Sequence, residues 1–80
     1  MLNEYTLKQV MATMLKVDAS AINADSSMDN MPNWDSLRHM NLVLALEEEF
    51  RVTISDEDAG NITSYKLIKR VLEDLLTAEG

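Results

Sequence analysis

Cysteine is absent from the 80-residue chain, which excludes a disulfide framework and a thiolate metal site and suits a reducing compartment. Histidine occurs once, at position 39, so no second imidazole stands by to build a metal site or a hydrolytic triad. Proline occurs only at position 32 and glycine only at 60 and 80, and no stretch alternates polar and apolar residues long enough for a strand. The expected class is therefore all-α. No apolar run approaches the ~18 residues of a membrane span, and the start Met-Leu-Asn-Glu-Tyr lacks a basic stretch followed by an apolar one. A soluble, cytoplasmic protein with no membrane insertion is the expectation.

What the chain does have is acid and aliphatic side chains. Fourteen Asp and Glu stand against seven Lys and Arg, a formal charge of −7 that repels nucleic-acid phosphates and anionic membranes. Basic protein surfaces are the expected targets, although the same charge also serves simply to keep a small domain soluble. Eighty residues at 46% hydrophobic content support one core, hence one domain spanning 1–80. A chain of this length buries only roughly 60–65% of its unfolded surface, which leaves little interior to wall off a catalytic pocket. Size favours a carrier or binding module over an enzyme.

Helical periodicity divides the chain into four segments. The first helix is expected to start near Asn3 to Thr6 and end by about Val17, with Leu7, Val10, Met11, Met14 and Leu15 on one face at ~100° per residue. From Asp18 to Trp34 the pattern dissolves into Ser, Asn, Asp and small residues, which predicts a long ordered loop pinned by Ile22 and Met28. Asp35 is placed to cap a second helix running to Phe50 or Arg51. Ser55 followed by Asp56, Glu57 and Asp58 predicts a short third helix over about 56–61. Thr63 or Ser64 then caps a fourth, whose Tyr65, Ile68, Val71, Leu72, Leu75 and Leu76 form one apolar face before a frayed tail at 77–80. The architecture is a small four-helix bundle, three main helices plus one short one, with a long loop between helices one and two.

The second helix has one apolar stripe more than a fold requires. Leu42, Val43, Leu46 and Phe50 fall within a ~100° arc, enough for the core. Leu37, Met40 and Leu44 cluster on a second arc centred ~140° away, where a surface helix should be polar. Either the loop or the short helix covers this stripe, or it is a docking surface with Glu47 and Glu48 as its charged rim. His39 points into the core arc and reads as a structural histidine. Asp25, Ser27 and Asp29 resemble the opening of a calcium loop, but Asn30 sits where glycine is needed and Ser36 where the bidentate glutamate belongs, so no metal site is expected.

Ser36 lies at the start of this helix, on the edge of the second stripe. From local chemistry it is either a plain cap residue or an exposed hydroxyl open to modification. No general base stands beside it, so it is not a catalytic nucleophile. A phosphodiester there would meet free backbone N–H groups and the positive end of the helix dipole.

The run Asp35-Ser36-Leu37, the stretch Leu42-Val43-Leu44-Ala45-Leu46-Glu47-Glu48-Glu49-Phe50, and then Ile54-Ser55-Asp56-Glu57-Asp58-Ala59 and Ile62-Thr63 resemble the acyl carrier protein family over essentially the whole chain. The resemblance implies that Ser36 receives 4′-phosphopantetheine from coenzyme A and that the arm holds acyl or aminoacyl groups as thioesters. It implies no catalytic residue in the chain itself. It also implies partner contacts for Asp35, Leu37, Met40, Leu44, Glu47 and Glu48, with a phosphopantetheinyl transferase, an acyl or aminoacyl ligase, synthases and acyltransferases as the partners, met by a monomer. Trp34 ahead of the Asp-Ser pair is similar to carriers for D-alanine and other specialised carriers, and Arg38-His39 departs from the housekeeping pattern. A dedicated carrier is therefore expected. Any acyl cleft would be lined by Met11, Met14, Leu46, Ile54, Ile62 and Ile68. The competing reading is an unmodified acidic helical adaptor that uses the Leu37/Met40/Leu44 stripe.

Overall fold

The computed structural model describes residues 2–79, with side chains through Thr77. Four helices follow one another as α1 (Glu4–Leu15), α2 (Ser36–Phe50), α3 (Asp56–Asn61) and α4 (Tyr65–Glu79), and a single 3-10 turn spans Ala19–Ala21 inside the long loop. Each start is set by a short polar side chain, as expected from the sequence for the last three helices and found at Asn3 for the first. Asn3 accepts from Thr6 N, Asp35 from Arg38 N and Ser55 from Asp58 N, while Ser64 Oγ accepts from Leu67 N at 3.2 Å. Of the two residues expected to cap the last helix, Ser64 does so.

Two helix ends are less ordinary. Lys16 and Arg51 take left-handed conformations at φ 58° and 54°, where glycine is the usual residue. The following valines donate back five residues, Val17 N to Ala12 O at 3.1 Å and Val52 N to Glu47 O at 3.2 Å. Their aliphatic side chains then fold onto the core, Val52 buried and Val17 packed against it. The last helix departs from expectation in the other direction. It continues through Thr77 to Glu79, where a frayed tail was predicted, because nothing in Thr77-Ala78-Glu79 stops a helix; Gly80 lies outside the described residues.

One face of each long helix turns inward. Leu7, Met11 and Leu15 of α1, Leu42, Val43 and Leu46 of α2, and Tyr65, Ile68 and Leu72 of α4 are buried together with Ile22, Trp34, Val52, Ile54 and Ile62 from the connections. The expected apolar faces are therefore the real ones, with Val10, Met14, Phe50, Val71, Leu75 and Leu76 at their half-buried margins. Of the residues expected to line a cleft, Met11, Leu46, Ile54, Ile62 and Ile68 are packed solid in this core, and Met14 sits at its edge.

The long loop is held by its own polar side chains rather than by regular structure. Asn23 O and Ser26 Oγ satisfy each other's backbones, Ser26 N donating at 3.0 Å and Asn23 N at 2.9 Å. Asn30 Oδ1 accepts from Ser27 N while its amide donates to Asp25 O at 2.8 Å. These turn-forming bonds explain why a Ser/Asn/Asp-rich stretch is ordered without being helical. The loop is also stitched to the α3–α4 connection by an isolated antiparallel bridge between Ser27 and Ser64, with Met28 N donating to Thr63 O and Tyr65 N to Ser26 O. At the same start of α4, Tyr65 Oη donates to Glu4 Oε1 at 2.8 Å, and one turn further on Lys69 Nζ lies 3.3 Å from Glu4 Oε2. The Tyr65 hydrogen bond, then Lys69, holds the Glu4 carboxyl below its ordinary value, and burial followed by the Glu4 contact pushes the Tyr65 hydroxyl well up.

Candidate functional site

The loop delivers the chain to α2 through a tight turn, Trp34 N donating to Met31 O at 2.9 Å. Asp35 then stands in extended conformation and does three things. Its Oδ1 accepts from Arg38 N at 2.8 Å, its Oδ2 pairs with Arg38 Nη1 at 3.1 Å, and its carbonyl accepts from His39 N at 2.8 Å. Capping is thus complete without Ser36. Ser36 is the first helical residue, it is exposed, and the reading of it as a plain cap fails because Asp35 holds that position.

The geometry around Ser36 suits a phosphodiester. The backbone N–H groups of Ser36 and Leu37 belong to the first turn, where a helix offers no carbonyl partner, and the positive end of the α2 dipole converges on the same point. An oxyanion on Ser36 Oγ would meet both. What the site lacks is a base. His39 is turned away into the core, with Nδ1 accepting from Trp34 Nε1 at 3.0 Å and Nε2 2.7 Å from Ala59 O. The one imidazole is therefore not available to activate the hydroxyl.

From Ser36 the second apolar stripe runs along the outer side of α2. Leu37, Met40 and Leu44 are 73%, 58% and 61% exposed, so neither the loop nor α3 covers them. They sit at i, i+3 and i+7, a continuous apolar strip about 10 Å long by helical rise. Glu48 is exposed beside this strip, whereas Glu47 is half-buried and its Oε2 accepts from Ile54 N at 2.8 Å. Glu47 is therefore also a tie for the α2–α3 connection. Arg38, which in sequence looks like an intrusion of positive charge, lies folded onto Asp35 and neutralises it locally. Leu37 and Arg38 also wall a surface cleft of about 470 Å³ with Asn41, with Thr13 and Met14 of α1 and with Lys16 just past its end.

The structure thus gathers Asp35, Ser36, Leu37, Met40, Leu44 and Glu48 on one outward face and sets Glu47 at its margin. Sequence reasoning missed the Trp34–His39–Ala59 hydrogen bonds and the Glu47–Ile54 tie. The single histidine on the core arc was a usable signal for the first. The second joins residues seven apart across a helix end and left none.

Known proteins resemble this chain in sequence and in fold. A family model described as a phosphopantetheine attachment site matches residues 6–74. An acyl carrier protein of Solidesulfovibrio magneticus is 43% identical over 56 residues, which is 70% of this chain and 72% of that protein. The solution NMR structure of a holo acyl carrier protein from Geobacter metallireducens matches with a TM-score of 0.81 at 19% identity, covering 92% of this chain and 85% of that one. At that identity the likeness is one of fold.

Proposed function

Because the chain belongs to the phosphopantetheine-attachment family to which acyl carrier proteins belong, we propose that it carries acyl groups as thioesters on a 4′-phosphopantetheine arm attached at Ser36. The observation that carries this reading is the placement of Ser36, exposed at the first position of α2 with its capping role already filled by Asp35. The arm supplies a terminal thiol, chemistry that a chain without cysteine does not itself contain.

The chain's own residues prepare that attachment. Asp35 fixes the first turn, which leaves the Ser36 and Leu37 amides without helical carbonyl partners; as Ser36 Oγ bonds to phosphorus it gives up its proton, the pyrophosphate P–O bond of coenzyme A breaks, and adenosine 3′,5′-bisphosphate leaves. The stripe of Leu37, Met40 and Leu44 offers apolar anchors, and Glu48 with the outer part of Glu47 offers charge to basic partner surfaces, while Asp35, paired with Arg38, contributes a polar contact rather than net charge. Family membership implies contacts with synthases and transferases in general. The finer reading is a phosphopantetheinyl transferase, a loading ligase for acyl or aminoacyl groups, and acyltransferases, met one at a time by a cytoplasmic, single-domain monomer that is itself no catalyst. Such encounters are weak and salt-sensitive, as serving several enzymes requires. Trp34 and Arg38 support a carrier dedicated to one pathway; efficient elongation of its thioesters by a complete housekeeping fatty-acid synthase would rule that out.

Intact mass before and after incubation with coenzyme A and a broad-specificity phosphopantetheinyl transferase tests the central claim. The expected result is a gain of one phosphopantetheinyl group that Ser36→Ala abolishes. A folded, unmodified protein that gains nothing favours the bare adaptor that uses the same apolar stripe.

A further inference from the structure

The one histidine does more than fill the core. His39 is 6% exposed and Trp34 2%, and their ring centroids lie 6.1 Å apart. An indole N–H only donates, so His39 Nδ1 must accept from it at 3.0 Å, which places the imidazole proton on Nε2 and makes that nitrogen the donor to Ala59 O at 2.7 Å. The ring thus has a defined tautomer and is bonded at both ends.

Ala59 is in the last turn of α3, and its carbonyl has no backbone donor to receive. Ile62 N goes to Asp58 O at 3.0 Å and Thr63 N goes to Asn61 O at 2.9 Å, so neither reaches Ala59. His39 supplies the missing cap from another helix. The tie matters because α3 has little else. It is six residues long, includes Gly60 and contains no fully buried side chain, and a helix that short does not hold itself together. At its other end His39 grips Trp34, two residues ahead of Ser36.

We propose that His39 is a positioning residue for the carrier reaction, joining α3 to the segment that delivers Ser36 so that one imidazole sets the spacing between the attachment site and the acidic third helix. The claim rests on the reading of Ser36 as the attachment residue. A modifying or loading enzyme that meets α2 and α3 together then finds them in one arrangement, which lowers the cost of binding rather than of chemistry.

Two near-isosteres divide the tie. His39→Asn retains an acceptor near the Nδ1 position and loses the Nε2 donor, whereas His39→Gln retains a donor near Nε2 and loses the Nδ1 acceptor. With His39→Asn in the full chain, α3 amides should exchange about fivefold to tenfold faster while α1 and α4 are unchanged, as the loss of one buried hydrogen bond requires. Its KM for the phosphopantetheinyl transferase should rise roughly threefold or more at constant kcat. His39→Gln should restore α3 protection but, with the grip on Trp34 lost, recover KM only in part and shift the emission of Trp34, the only tryptophan. Wild-type exchange of α3 together with wild-type KM in folded His39→Asn overturns the proposal. Should His39→Asn fail to fold, Trp34→Phe decides it. Without the indole donor the imidazole tautomer is no longer held, so α3 exchange should quicken, and an unchanged α3 overturns the proposal. If wild-type protein takes up no arm, the attachment reading fails at that step, while the exchange and emission results still decide whether His39 ties α3 to Trp34.

Discussion

The two faces of α2 are made of the same kinds of residue and live in opposite environments. Leu42, Val43 and Leu46 are buried to within 5% of complete exclusion, while Leu37, Met40 and Leu44, in the same fifteen residues, stand more than half exposed. Hydrophobicity alone therefore does not decide what a side chain is for. The inner face is met by α1, α4 and the loop and stabilises the fold. Among the described residues nothing covers the outer face, which runs on from Ser36 and is the surface proposed above for partner contacts.

The sharpest contrast comes from truncating each face by the same atoms. Leu46→Ala should cost about 2–5 kcal/mol by leaving a cavity in the core, whereas Leu44→Ala, two residues away, should stay within about 0.5 kcal/mol. Urea unfolding of the pair measures both, and equal losses would erase the distinction between the faces. Function should invert the order. Leu44→Asp is expected to slow arm attachment several-fold with little change in stability, because it places a charge in an apolar contact.

The glutamates at the margin sharpen the boundary. Glu47→Gln should cost about 1 kcal/mol, since the bond to Ile54 N loses its charge assistance in a half-buried setting. Glu48→Gln should leave stability unchanged and reduce the salt dependence of attachment. Arg51→Gly, at the left-handed end of the same helix, should stabilise by about 0.5–1 kcal/mol and not alter attachment at all. The smallest effect lies outside α2 and serves as its control. Glu4 is held below its usual 4.5, so its contribution is complete above that pH and fades as pH falls through the lower folded value. Glu4→Gln should flatten the acid limb of the stability profile below about pH 4.5 and leave the Ser36 site untouched.

Much of this was legible residue by residue. Asn3, Asp35 and Ser55 act on backbone groups three residues away, so their role is written in short-range order. The inner stripe of α2 follows from a fixed angle per residue, and so does the existence of a second stripe. The helix over 77–79 was not legible, since nearness to a terminus predicts fraying while the propensities of Thr77, Ala78 and Glu79 allow the helix to run on.

The sequence by itself therefore determined the four helices, their caps, the single core and the candidate residue Ser36, since each depends on neighbours within about one turn or on periodicity. Only the tertiary structure decided which of two possibilities held for the outer stripe, because covering or baring it depends on how a seventeen-residue loop folds back. It alone decided that Glu47 turns to Ile54 and that His39 joins Trp34 to Ala59, a partner twenty residues away. Periodicity can say that a side chain points inward; it cannot say which orphaned carbonyl waits there, since that carbonyl is set by where another helix ends.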